Sequence, residues 1–393
     1  MPNNRPIYSQ TIDALEDKSK VVFGFEQLVA IYKAMYASQE NRAFDKLNTF
    51  NKLYPMAKST YKQMQATYLK SNKKDGIFCS ASDLKNFTPS LPEVFYSNFE
   101  NAPSKLNLND AEANERFSWF VTQITAFGTW RNTLGVYRID PEIYQQSVTA
   151  VIPPETPTTI FSNLPDWCVY IQLPSEHPME MINNCVPSLV MGFWAHLARE
   201  VNEPVGGVAS KGNLVLTIIL DLMPSENDSC DVIVPINLII EEGVSVEQSI
   251  IKTYSKVDGI YTTEQERMIA QELRQMSNLL SLLLWLCAEE PDISNMKGEP
   301  ITPEQIRLPK YGVNKKTGSF VPPSQPTIYE VGKRLGGEVR EFNKQNANSD
   351  TRTPSRKRPH IRRGHWHGVW RGTGQDKKFD LYWQPAIFVN SKF

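Results

Sequence analysis

The runs LVMGFWAHLAREV (Leu189–Val201) and LVLTIILDL (Leu214–Leu222) set the fold class of this 393-residue chain. Both are short blocks of apolar, aromatic and β-branched residues, a make-up that suits a pleated, half-buried surface. Between them lies NEPVGGVASKGN, rich in Gly, Pro and Asn. Trp167–Leu173 and Asp231–Ile240 are built the same way, and their separators, LPSEHP and MPSENDSC, carry the same turn chemistry. Short strands in succession with such turns predict an antiparallel meander. Pro235 falls inside the last run, which marks that strand as an edge or a bulge.

Outward from this block the text turns helical. Val21–Glu40 repeats apolar residues at Phe25, Leu28, Val29, Ile31, Tyr32 and Met35, close to a 3.6-residue period. A second helix is predicted from just after Pro55 to about Lys70, and a third over Asp110–Phe127. The proline-rich stretch at 151–157 closes that helical region. Beyond the strands, Thr263 and Glu266 have the spacing of a capping box. The helix they open thickens into SLLLWLCA at 281–288, a text for a long buried helix that Pro291 stops. Thr327–Phe342 reads as one more helix and 345–355 as a linker. Two strands, His365–Trp370 and Phe379–Val389, close the chain around the turn RGTGQDKK. The expected fold is therefore α+β: N-terminal helices over 1–150, a mixed core with a central antiparallel sheet and a long buried helix over 151–345, and a basic C-terminal β-hairpin within 346–393 that packs on the core and could extend its sheet.

Composition narrows the function classes. Hydrophobic residues make up 40% and charged residues 22%, enough apolar material for a sizeable core, and the net charge is only -1. The five cysteines, Cys79, Cys168, Cys185, Cys230 and Cys287, are scattered without a CxxC pair, which argues for reduced core thiols and a cytoplasmic protein. The first residues lack the apolar stretch of a signal peptide. The apolar run at 279–288 has about half the length of a membrane span, so no membrane partner is expected. No GxGxxG follows a strand, and neither a GxxxxGK[ST] nor a GxSxG motif occurs. The glycines of GKRLGGE at 332–338 sit in helical text and make no phosphate loop. Glu289, Glu290 and Asp292 cluster past the long helix, where such groups are ordinarily solvated.

Against that near-neutral background the C-terminus is unusual. From Arg352 to Arg371 there are seven Lys or Arg residues and no Asp or Glu. Within and after this run stand His360, His365, Trp366, His367, Trp370, Tyr382 and Trp383. Cations beside flat rings suit a phosphate backbone with exposed bases. The candidate nucleic-acid set is Arg356, Lys357, Arg358, Arg362 and Arg363 for phosphates, with His365, Trp366, His367 and Trp370 for stacking. Three other readings of the segment stand beside this one. His365 and His367 share a strand face and could ligate one metal ion, with Asp376 and Asp380 the nearest carboxylates. The same two imidazoles could act as acid and base in a metal-independent ribonuclease, although in-line cleavage wants them on opposite sides of the phosphate. Plain scaffolding is the third: indoles packed on the core and arginines in water. A second surface, TWRNTLGVY (129–137) with NLPDWCVYI (163–171), sets Trp130, Arg131, Trp167 and Tyr170 beside turn residues, as in a groove that grips an apolar peptide.

Five stretches together resemble one family: GTWRNTLGVYRID (128–140), TPTTIFSNLPDWCVYI (156–171), LLWLCAEEPDI (283–293), NKKTGSFV with PSQPTIYEVGKRLGGEVR (314–340), and KRPHIRRGHWHGVWRGTGQ with WQPAIFVN (357–390). It is the type V-A anti-CRISPR protein two family of bacterial mobile elements. The resemblance begins near residue 45, is dense over 127–171 and 283–393, and departs from the pattern in the first forty residues and over 174–260. It implies a binding protein without a cofactor that suppresses biogenesis of the type V-A CRISPR effector nuclease. The implied partners are the nascent N-terminal peptide of the effector, its mRNA or the translating ribosome, and a host nuclease that removes the mRNA. No catalytic residue carries over. The neighbouring alternative is a mobile-element accessory protein aimed at another nascent chain or RNA.

Overall fold

A computed structural model describes residues 42–53, 60–61, 110–175, 179–183, 186–199, 214–222, 236–254, 263–302, 305, 321, 323–347 and 360–389. The helix expected over Val21–Glu40 lies outside the described residues, as does all but Thr60 and Tyr61 of the one after Pro55.

The expected meander is present. Strands β2 (Cys168–Gln172), β3 (Met179–Asn183), β4 (Val186–Arg199), β5 (Leu214–Leu222) and β6 (Ile236–Ile240) pair antiparallel, with β4 as the long central member against β2 and β3 on one side and β5 on the other. Its register shifts between Val190 and Gly192. At Gly192 a side chain would meet the Tyr170 ring and lie 2.5 Å from the Ile171 carbonyl oxygen, so the sheet closes over this position only because it is glycine. Among the described residues β6 is the edge strand, as Pro235 just before it requires.

The other half of the sheet is parallel. Strand β1 (Gly135–Ile139) lies between β2 and β8 (Thr327–Val331) and runs parallel to both, while β7 (Ile293–Asn295) closes the far edge antiparallel to β8. The stretch Thr327–Phe342 is thus a correction: a strand followed by a helix, not one helix. Gly332 makes the break, at φ 74°, the left-handed region that glycine reaches without strain. Asp292 fixes the new helix start, its backbone carbonyl accepting from Gly332 N at 2.7 Å and its Oδ2 from Leu335 N at 3.0 Å.

In chain order the helices are α1 (Arg42–Leu53), α2 (Asp110–Trp130), α3 (Pro141–Ser147), α4 (Val246–Tyr254), α5 (Thr263–Leu284) and α6 (Lys333–Ala347). Asp140 caps α3, accepting from Glu142 N at 3.1 Å, with Pro141 preset in the first turn. The same carboxylate takes Arg340 of α6 in a two-point pair at 2.7 and 2.8 Å, tying α3 to α6. As its text implied, α5 ends buried on all sides: Leu279, Leu280, Leu282, Leu283, Leu284 and Trp285 are at most 1% exposed. Each such side chain contributes about 1.5–3 kcal/mol of burial. Across the sheet, α2 packs Phe127 and Trp130 against Trp194, at ring separations of 4.9 and 6.1 Å.

The C-terminal hairpin consists of β10 (His365–Arg371) and β11 (Lys378–Gln384). It does not extend the main sheet but forms a sheet of two strands, and β9 (His360–Arg362) with β12 (Ile387–Val389) forms another. None of the described helices is long and apolar enough to cross a membrane.

Candidate functional site

Strict alternation along β10 gives the hairpin two unlike faces. On the inner face Trp366 is 3% exposed, and its indole N–H donates to Ser281 Oγ of α5 at 2.9 Å. Trp285, just past the end of α5, stands 5.5 Å from the Trp366 ring and 5.0 Å from that of Trp383, which faces Trp366 across the hairpin at 5.0 Å. Phe379 and Leu381 complete this face, and Gly368 leaves room for the Phe379 ring. Two main-chain contacts anchor the ends: Gly364 N donates to Gln146 Oε1 at 2.9 Å, and Glu289 N to the Leu381 carbonyl at 3.0 Å.

The outer face carries the charge. His365 and His367 are exposed side by side, and Arg362 and Arg363 just before them are exposed as well. Neither arginine has a carboxylate partner among the described residues. Arg371 is held differently, 3.1 Å from Asp380 and 5.7 Å above the Tyr382 ring. Lys378 bridges Glu289 at 2.8 Å and Asp380 at 3.1 Å, and its bond to Glu289 raises its pKa above the ordinary lysine range. So Glu289 and Asp292 of the acidic cluster are used inside the fold, one on the hairpin and one on α6.

Beside this face runs an open groove of about 550 Å³. One wall is the stretch Arg363–Gly368 and the other is the segment Thr149–Glu155. Sequence reading did not single out that second wall. Val151 within it is 77% exposed, an apolar residue that the fold leaves in water.

The sequence-predicted residues fall into three groups. Arg362, Arg363, His365, His367 and Trp370 meet on the accessible hairpin, Trp370 being 48% exposed and edge-on to Phe379 at 5.1 Å. Arg356, Lys357 and Arg358 lie outside the described residues. Trp366 is a correction, since its ring is sealed against α5 and has no face free for a base. A correction applies equally to the aromatic groove. Trp130 is fully buried with its N–H on the Gly135 carbonyl at 2.8 Å, Trp167 is 3% exposed and Tyr170 is 1% exposed. Those three rings are core, and only Arg131 of that set reaches partway to the surface. Regarding a metal, no group of three or more His, Cys, Asp or Glu side chains is placed to hold an ion among the described residues, and Asp380 is already paired.

A buried charge cluster escaped the sequence reading. Asp221 at the end of β5 is fully buried, 3.0 Å from Arg42 Nη2 and 2.7 Å from Lys46 Nζ of α1. It also accepts from the Tyr170 hydroxyl at 2.8 Å. Burial opposes its charge, but Lys46 and Arg42 outweigh that and hold its carboxyl below the usual carboxylate range. The cluster sits far in sequence from the hairpin and locks α1 to the sheet.

The comparisons agree with this architecture. The model of the AcrVA2-like family, described as "Anti-CRISPR type V subtype A2 family", matches residues 137–391. The chain belongs to this family. It is also similar to a solved structure, described as "Crystal structure of AcrVA2", at 34% identity and a TM-score of 0.65, over 88% of this chain and 99% of that one. No match is found among curated proteins. The span matched by the AcrVA2-like model includes both walls of the groove and the whole hairpin, and begins beyond α1 and α2.

Proposed function

We propose that this anti-CRISPR protein suppresses biogenesis of the type V-A CRISPR effector nuclease by recognising the effector's nascent N-terminal peptide and promoting loss of its mRNA. The work is binding. The basic C-terminal segment engages the mRNA or the translating ribosome in the cytoplasm of the bacterial host, and a host nuclease removes the transcript. Family membership supports the target, and one structural observation supports the surface: Arg362 and Arg363 stand in water immediately before β10, the strand that Trp366 rivets to α5. Cations displayed on a rigid element lose little freedom on meeting phosphates.

The test is effector transcript level in cells expressing the wild-type protein or the variant Arg362→Ala/Arg363→Ala. Loss of silencing in a variant that accumulates normally supports the reading; full silencing removes the tail from the mechanism. A ribonuclease reading survives beside it, because His365, His367 and Arg363 line one groove. Purified protein incubated with RNA separates the two: cleavage abolished by His365→Ala/His367→Ala would establish an enzyme.

A further inference from the structure

We infer that the groove along β10 is a strand-addition site, in which an extended peptide pairs with the free edge of the hairpin. The clue is which residues line it. Arg363, Gly364, His365, Trp366, His367 and Gly368 are consecutive. Their side chains point alternately to opposite faces, so a groove that meets all six runs along the backbone edge and not over a face.

That edge is open. Among the described residues β10 pairs with β11 alone, on its other side. In an antiparallel pair every second residue turns both its N–H and its C=O away from the partner. β10 has seven residues, so three or four of them present such donor and acceptor pairs outward. Folded proteins ordinarily blunt an edge of this kind with a short strand, a proline or a bulge. β10 has no proline, and its register with β11 is unbroken from His365 to Arg371. It is an edge left ready for another strand.

The walls state the chemistry of the guest. Along the strand the exposed side chains are Arg363, His365 and His367, and the facing wall offers Ala150, Val151, Pro153 and Pro154 with Glu155 as its one carboxylate. An extended guest alternating between carboxylate and apolar residues fits both: its acids fall beside the imidazoles and the guanidinium, its apolar side chains meet the proline wall. Main-chain bonds supply affinity, and the walls supply selection. A nucleic acid would use the same cations but could not use the ladder.

This inference deepens the proposed function, resting on it only for the identity of the peptide, the effector's nascent N-terminus. The experiment uses the full-length protein and fluorescence anisotropy with two labelled probes, a peptide copying the effector's N-terminus and a designed peptide alternating Glu and Val. Each probe is also made with backbone N-methyl groups on alternate residues, in both registers. The expected result is binding that drops about tenfold or more when one register is methylated and much less for the other. His365→Ala/His367→Ala should weaken both probes, with an unchanged melting temperature as proof of folding. If the designed probe behaves so and the effector peptide does not bind, the strand-addition site stands and the effector reading falls. If the effector peptide binds but ignores both methylation and the histidine variant, the peptide is held elsewhere and the site is overturned. Failure of both probes to bind overturns it too.

Discussion

The indole N–H of Trp366 donates to Ser281 Oγ at 2.9 Å, and Ser281 in turn donates to the Ser147 carbonyl at 2.8 Å. Trp285 N–H closes the same knot on Ser147 Oγ at 2.8 Å. Hairpin, α5 and α3 are therefore joined at one buried polar point inside an aromatic cluster. Trp366→Ala removes both the ring packing and the bond, and is expected to cost about 3–5 kcal/mol. Ser281→Ala strands the indole N–H in the interior and is expected to cost about 1–3 kcal/mol. Urea unfolding of the two variants measures both, and Trp366→Ala should also raise hydrogen exchange across β10 and β11.

Tyr170 and Asp221 give a second prediction. Asp221→Ala leaves Arg42 and Lys46 against the sheet without their counter-ion, and breaking a buried pair from one side costs roughly 3–5 kcal/mol. Tyr170→Phe removes one hydrogen bond to a charge, about 1.5–3 kcal/mol. Because the Asp221 pKa is lower in the folded state than in the unfolded chain, its ion pairs stabilise fully above the unfolded value and are lost as pH falls through the folded one. Wild type should thus lose stability toward strongly acidic pH in a way that Asp221→Asn does not. Denaturant midpoints at several pH values would reveal an identical acid limb in both proteins if the cluster carries no such energy.

His196 on β4 acts in the milder acid range. Burial lowers its pKa to about 3, from 6.5, and leaves the neutral ring 3.2 Å from Thr129 Oγ1. An unfolded chain takes up a proton near pH 6.5 that the folded one refuses. Stability is therefore fullest above that pH and declines on acidification toward pH 3, by up to roughly 1.4 kcal/mol for each unit. His196→Gln should be less stable at neutral pH yet flatter between pH 6.5 and 4.5. Equal slopes for the two proteins would place the acid sensitivity elsewhere.

What the sequence could tell followed the range of the interactions. The meander was legible because neighbouring strands carry their own turns, and the hairpin because His365, Trp366 and His367 alternate within three residues. The parallel pairing of β1 with β2 and β8 was not, since its partners are set by crossovers of some thirty and nearly two hundred residues. Thr327–Phe342 misled because a strand and a helix abut at Gly332 with no loop between them. Trp130 and Trp167 stand beside turn residues in the text, yet Tyr170 and Trp194 converge on Trp130 only in three dimensions. The groove was invisible for the same reason, its walls lying about two hundred residues apart.

Two indoles on one strand face separate scaffold from surface. Trp366 is sealed, whereas Trp370, four residues on, is half exposed and rests one edge on Phe379. Trp370→Ala is expected to cost little stability, about 1 kcal/mol for the lost ring contact. If the tail meets RNA, the same change removes a stacking platform and should weaken single-stranded RNA binding by about 1–3 kcal/mol. Arg362→Ala works through phosphate and should lower the dependence of log affinity on log salt by about one, with little preference among sequences. Trp366→Ala should do the reverse of Trp370→Ala, a large stability loss with affinity falling only as the hairpin loosens. Filter binding across a salt series, alongside thermal melts, decides it: unaltered RNA affinity in Trp370→Ala and Arg362→Ala would take both residues out of RNA recognition and leave the groove along β10 to the peptide strand alone.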